Sequence, residues 1–268
     1  MDNHDLLAQH FLTDQSENRL GVEFFNSNSC FELAKRLLGK VICRRSRLNG
    51  SILAGMIVET ECYPGGDDQA SHSYKGKKTP RNEPMFMDPG SAYVYFTYGM
   101  YHCFNISSCG EGAAVLIRAL KPVSGLKEQS TNRLSFRKKS KPTCSSSSSH
   151  SGSIPSSLRD TQIANGPGKL CIALDIDKET INKENLILSN IIWLVGYKDY
   201  PDEEITFSKR IGINTDAESR NQLWRFYIRD SHYVSVRDEK KREPKSNKRP
   251  EKMVKSNNLG KKTKVAND

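Results

Sequence analysis

From Ile57 to Tyr63 the chain reads Ile-Val-Glu-Thr-Glu-Cys-Tyr, an apolar run carrying two carboxylates at its end. Farther on, Tyr93-Val94-Tyr95-Phe96-Thr97-Tyr98-Gly99-Met100-Tyr101 packs four tyrosines and a phenylalanine into nine residues. Tyrosine combines a large π-face, a polar tip and little rotamer entropy, which suits stacking on a flat partner. A glutamate tuned by burial and nearby charge can activate water. A carboxylate strand and an aromatic ribbon in a basic chain suggest chemistry on a nucleobase.

Each candidate group also has a plainer reading. In a strand, alternate residues share a face, so Ile57, Glu59, Glu61 and Tyr63 fall on one side and Met56, Val58, Thr60 and Cys62 on the other. That pattern fits a half-exposed strand with solvated glutamates as well as a catalytic carboxylate. Glu59, Glu61, Asp67 and Asp68 could hold a metal, although aspartates in a turn-rich loop more often shape the turn or cap a helix. Arg118 lies inside the apolar run Leu116 to Leu120 and needs a carboxylate partner, for which Glu61 or Glu59 could serve. Asn105, between Phe104 and Ile106, could satisfy backbone groups or read a base edge. A histidine placed like His72 is more often a surface or core residue than a functional one. Tyr98 is placed at a hairpin tip, where it either wedges into a base stack or folds back onto the sheet. Arg81 in Thr79-Pro80-Arg81-Asn82 and Lys169 in Gly166-Pro167-Gly168-Lys169 sit on turns able to bind a phosphate.

These residues need elements to position them. An amphipathic helix is expected over Cys30–Lys40, with Ser29 as its cap and Gly39 at its end. Strands are expected at Lys40–Arg44, Ser51–Cys62, Ser91–Thr97, Tyr101–Ile106 and Ala114–Leu120, then at Ile187–Val195, Trp224–Ile228 and Tyr233–Val236. A short helix should run from Lys169 to Leu174. Residues 1–18 read as a disordered arm that does not resemble a transit peptide. Arg133 to Arg159 reads as a disordered Ser/Lys-rich insertion, and 237–268 as a basic disordered tail. The domain is therefore expected over 19–236.

Charge points to an anionic partner. The 41 basic residues exceed the 31 acidic ones, for a net charge of +10, which favours nucleic acid or an acidic surface. The stretch Arg237 to Asp268 carries twelve Lys/Arg and five Asp/Glu, a net of +7, and leaves only +3 for the rest. Any basic binding face must then come from arrangement. The tail's Lys240-Lys241-Arg242 and Lys248-Arg249 resemble a nuclear import signal, a DNA tether or a solvated tail. The seven cysteines include no C-x-x-C pair, so free thiols in a reducing compartment are expected and a zinc site is not. No apolar run reaches the roughly 18 residues of a membrane span.

Taken in order, the segments Arg19-Leu20-Gly21, Glu59-Thr60-Glu61, Ser71-His72-Ser73, Thr79-Pro80-Arg81-Asn82, Tyr93-Val94-Tyr95, Tyr98-Gly99-Met100-Tyr101, Asn105-Ile106-Ser107-Ser108, Arg118-Ala119-Leu120, Arg210-Ile211-Gly212 and Arg225-Phe226-Tyr227 resemble the alkyladenine (3-methyladenine) DNA glycosylase family of base-excision repair. The likeness runs from about Arg19 to Val236, the insertion excepted. It implies an α+β fold: a single compact domain with an antiparallel β-sheet core, flanking helices and a protruding β-hairpin. It also implies monofunctional hydrolysis of the N-glycosidic bond of a flipped alkylated or deaminated purine in double-stranded DNA, by a nuclear monomer with no cofactor, no metal and no lyase step.

Carried onto this chain, the likeness makes Glu61 the general base, with Arg118 and the backbone carbonyl of Ile211 holding the attacking water. Tyr63, His72 and Tyr95 would hold the extruded base, and Asn105 would reject guanine by a clash with its 2-amino group. Tyr98 would fill the vacated space with Met100 beside it, and Arg81 and Lys169 would contact phosphates. Cys62 and Ser71 depart from the family pattern, each standing where another small residue is common.

Overall fold

The carboxylate strand is the axis of the fold. The computed structural model describes residues 12–26, 29–139 and 157–238. Its strands are β1 (Val41–Arg45), β2 (Ile52–Tyr63), β3 (Ala92–Thr97), β4 (Tyr101–Ser107), β5 (Ala114–Ser124), β6 (Ile192–Val195), β7 (Ile205–Ser208) and β8 (Arg225–Ile228). Its helices are α1 (Val22–Asn26), α2 (Cys30–Arg36), α3 (Leu126–Lys139), α4 (Asp160–Ile163), α5 (Pro167–Ala173), α6 (Lys178–Ile181) and α7 (Ala217–Asn221). The strands form one antiparallel sheet in the order β3-β4-β5-β2-β1-β6, with β8 joined to β2 and β7 to β8. This is the α+β architecture expected from the sequence.

β2 is the longest strand and serves three partners. β5 runs along one edge. On the other edge β1 pairs with Ile52 to Met56, and β8 pairs with Glu59 to Glu61. An irregularity in the β2–β5 register falls between Ile57 and Glu59. Such a break bends a strand and re-aims the side chains beyond it. Here it lies where the two carboxylates begin.

Burial departs from simple alternation. Every residue from Leu53 to Cys62 is buried, because both faces of the sheet's centre are covered. Phe25, Leu33, Ala34 and Leu37 contribute from α1, α2 and the turn after it, and Leu170, Cys171 and Leu174 from the α5 region. A strand covered on both faces reads as a continuous run, so the expected solvated glutamates are absent: Glu59 and Glu61 are each 0% exposed.

Several boundaries differ from expectation. α2 ends at Arg36 rather than Lys40 and passes through a turn to Gly39. There φ is +83° and an added Cβ would stand 2.5 Å from the Lys198 carbonyl, so glycine answers both demands. Only Ile192 to Val195 of the expected Ile187–Val195 strand is extended, β7 was not foreseen, and Tyr233–Val236 is a strap outside the sheet. The helical residues 133–139 of α3 correct the expected start of the insertion, and Leu158 is buried near its expected end. The arm is corrected likewise: Leu12 is buried in the core, and Asn18 accepts a hydrogen bond from the Gly196 amide at 2.7 Å. Residues 1–11, the serine run at 140–156 and the basic tail from 239 lie outside the described residues. Among the described residues the six cysteines are free, and no helix is long and apolar enough to cross a membrane.

Candidate active site

Glu61 stands near the end of β2, paired across the sheet with Leu116 of β5 and Arg225 of β8. Three donors surround its carboxylate. The Tyr63 hydroxyl donates to Oε2 at 2.9 Å, Arg118 Nη1 lies 3.1 Å from the same oxygen, and the Ile211 amide donates to Oε1 at 2.7 Å. A buried carboxylate is tolerable only when paired and hydrogen-bonded in this way. Among the described residues Oε1 has that single donor, so a lone pair remains for a water.

Tyr63, Arg118 and Ile211 also line a cavity of about 310 Å³, whose walls include His72, Tyr93, Tyr95, Tyr98 and Asn105. That is the lower end of the ~300–1,000 Å³ typical of ligand sites. Glu61 therefore sits directly behind the cavity wall, joined to it by its own hydrogen-bond donors. A larger cleft, of about 1060 Å³, lies at the far end of β5 beside Lys121 and Tyr233 and contains none of the expected residues.

One wall of the smaller cavity is a contiguous aromatic cluster. The His72 and Tyr95 rings meet edge-on at 4.8 Å, Tyr93 lies 5.3 Å from Tyr95, and His72 Nδ1 hydrogen-bonds the Tyr93 hydroxyl at 2.8 Å. The Arg81 guanidinium lies 5.2 Å from the Tyr95 ring centre. Partial burial, then the charge on Arg81, lowers the His72 pKa from 6.5, so the ring is neutral at pH 7. The His72 loop is fastened by Ser73 Oγ, which donates to the Gly112 carbonyl, and by Asn82 Nδ2, which donates to the His72 carbonyl.

Tyr63 is held from behind. Arg210 lies 4.7 Å from its ring and 4.8 Å from that of Trp224. Arg210 in turn grips Asp68 through both Nη atoms, at 2.6 and 2.7 Å, with both side chains fully buried. Asp68 is thus a structural anion. Among the described residues no group of three or more His, Cys, Asp or Glu could hold a metal. Burial and the adjacent Glu61 raise the Tyr63 pKa well above 10, so its hydroxyl remains a donor.

Asn105 faces the same cavity and is fixed by its own amide, which donates to the Tyr93 carbonyl at 3.0 Å. Arg118 meets both carboxylates proposed for it, with Nε 3.1 Å from Glu59 Oε1. Burial lowers its pKa, but Glu61 and Glu59 more than offset this and hold it above the usual value.

The hairpin of β3 and β4 projects beside the cavity. Its tip, Tyr98, is 86% exposed with φ at +51°, and Met100 beside it is 45% exposed. A bulky residue at positive φ is strained. Here the backbone presents the aromatic ring to solvent rather than folding it onto the sheet.

Lys169, on α5, donates to Asn165 Oδ1 at 2.9 Å. Burial, Arg133 and Arg137 lower its pKa. Arg133 is buried with its Nε unpartnered, and burial with Arg137 lowers it to about 10. Sequence reasoning missed these two α3 arginines by assigning Arg133 to a disordered segment, although their i, i+4 spacing was a helical signal. It also missed Ser235, whose amide donates to Glu59 Oε2 at 2.6 Å. Nothing local in the sequence marks that contact.

Residues 23–232 match the model of the methylpurine-DNA glycosylase family. A protein of Encephalitozoon cuniculi (strain GB-M1), named "Probable DNA-3-methyladenine glycosylase", is 44% identical over 206 residues, which are 77% of this chain and 88% of that protein. The human protein named DNA-3-methyladenine glycosylase is 42% identical over 221 residues, 82% of this chain and 69% of its own.

Proposed function

The chain belongs to the methylpurine-DNA glycosylase family of DNA-repair hydrolases, and from that premise we propose that it removes alkylated or deaminated purines from duplex DNA by monofunctional hydrolysis. The observation that carries this reading is the position of Glu61: its buried carboxylate is hydrogen-bonded to the wall of an aromatic cavity, beside a hairpin whose tip tyrosine points into solvent.

The purine swings out of the duplex into the cavity, and Tyr98 occupies the space it leaves, with Met100 alongside. Extrusion costs a few kcal/mol, and less for a poorly paired lesion. Tyr63, His72 and Tyr95 hold the base. Alkylation at N3 or N7 puts positive charge on the purine, and electron-rich aromatic faces favour it. A neutral His72 avoids repelling that cation. The fixed Asn105 amide excludes guanine through its 2-amino group.

Glu61 accepts a proton from a water held by Arg118 and the Ile211 carbonyl. The water oxygen bonds to C1′ while the C1′–N bond breaks, and the purine departs with the electron pair. For 3-methyladenine and 7-methylguanine the leaving base is already cationic and departs neutral. Hypoxanthine and ethenoadenine need a proton on the departing base, and no residue is assigned to supply it. Among the described residues no lysine lines the cavity, which favours hydrolysis over an imine-forming lyase step. Arg81 and Lys169 contact backbone phosphates. The residues given roles come from a single chain, the protein acts as a monomer, and the basic tail directs it to the nucleus.

The test uses duplexes bearing hypoxanthine, ethenoadenine or 7-methylguanine, incubated with the protein and then treated with alkali. The proposal expects strand cleavage at the lesion only after alkali. Cleavage without alkali, or none with it, contradicts the proposal.

A further inference from the structure

Hydrolysis by Glu61, as proposed above, requires Arg118 to keep one orientation, and Glu61 alone does not fix it. We propose that Glu59 is a positioning residue for the reaction, acting with Ser235 to lock the Arg118 guanidinium against Glu61.

All three guanidinium nitrogens of Arg118 have separate partners. Nε donates to Glu59 Oε1 at 3.1 Å, Nη1 lies 3.1 Å from Glu61 Oε2, and Nη2 reaches Ser235 Oγ at 3.4 Å. Ser235 is itself bound to Glu59 twice, through its amide to Oε2 at 2.6 Å and its hydroxyl to Oε1 at 2.9 Å. Arg225 Nη1 adds a further donor to Glu59 at 3.0 Å and holds the Val236 carbonyl at 2.8 Å. A planar guanidinium anchored at three corners cannot turn about its long axis. The C-terminal strap therefore closes the back of the site through Glu59.

Charge gives Glu59 a second consequence. Around Glu61 stand Arg118 from β5, Tyr63 and Glu59 from its own strand, Cys103 from β4 and Arg210 from the segment after β7. Arg210 is already engaged by Asp68, and Arg225 by Glu59. Removing the Glu59 charge leaves Arg118 to act on Glu61 alone. Arg118 then loses the charged partner that braces its Nε corner, and its guanidinium is no longer held in one orientation against Glu61.

The test is single-turnover excision from a hypoxanthine duplex at neutral pH, with lesion-duplex binding measured in parallel. Glu59→Gln, confirmed folded by circular dichroism, is expected to react at least about tenfold more slowly with binding within about twofold of wild type. Glu59→Asp, which keeps the charge, should recover at least about threefold of the lost rate. Ser235→Ala should slow excision roughly threefold or more with binding likewise kept. A folded Glu59→Gln protein with a rate within about twofold of wild type overturns the proposal. Should that variant not fold, a wild-type rate in Ser235→Ala overturns it instead. If wild type forms no abasic sites, the glycosylase reading fails and this role falls with it. If wild type is active and Glu59→Gln is unaltered, only the role of Glu59 is lost.

Discussion

The Tyr63 hydroxyl donates to Glu61 Oε2 at 2.9 Å, so a ring of the base pocket and the carboxylate behind it form one hydrogen-bonded unit. In the proposed reaction this bond would couple stacking at Tyr63 to water activation at Glu61. Tyr63→Phe keeps the ring and removes a hydrogen bond to a charged acceptor, worth about 1.5–3 kcal/mol. Single-turnover excision should fall about tenfold while lesion-duplex affinity stays within twofold. Equal losses in both would place the hydroxyl in binding alone.

The strained, exposed hairpin tip suits the wedge role proposed for Tyr98. Tyr98 pays strain at φ +51° and is almost fully exposed. Tyr98→Asn tolerates that backbone better, so thermal unfolding should occur at the same temperature or slightly higher. Excision should fall roughly 10- to 100-fold, since stacking between a ring and a base is worth about 1–3 kcal/mol. A drop in melting temperature would mean that the ring packs on the sheet.

Asp68 and Arg210 form a fully buried bidentate pair beneath Tyr63. Removing one partner leaves an uncompensated buried charge, at a cost of about 3–5 kcal/mol. Asp68→Ala should lower denaturant-measured stability by that amount. An exposed aspartate such as Asp67 should change little when replaced. A small effect at Asp68 would contradict the observed pairing.

His72 has a lowered pKa, from partial burial first and Arg81 second. In the window between the ordinary 6.5 and the lowered folded value, the unfolded chain binds more protons than the folded one, so stability rises with pH. This contribution is complete above 6.5 and is lost as pH falls through that window. NMR titration should find the His72 midpoint below 6.5, and Arg81→Gln should raise it. A midpoint at or above 6.5 in the native protein would contradict the assigned environment.

The sequence made the ingredients of the site legible but not their depth. Glu61, Tyr63, Tyr95 and Arg118 lie in strands whose β-branched and aromatic content is plain. Alternation suggested solvated glutamates because it cannot tell whether a second layer covers the strand; α2 and the α5 region, brought in from before and after it in the chain, decide that. The whole of α3 escaped the sequence reading because Leu126–Lys139 lacks an apolar stripe, and Gln129 and Arg133 are among the residues it buries. The contact of Ser235 with Glu59 spans most of the domain and leaves no periodic mark. The tip of the hairpin was readable because Tyr-Gly between two aromatic strands has few other uses.

The central claim is that Glu61 performs the hydrolysis rather than holding the cavity in shape. Glu61→Gln keeps the size of the side chain and removes its basicity. Single-turnover excision from a hypoxanthine duplex should fall by at least ~10²–10⁴-fold, the range for losing a general base, while the variant still binds the lesion duplex with near wild-type affinity. Excision at the wild-type rate by a folded Glu61→Gln protein would contradict the account.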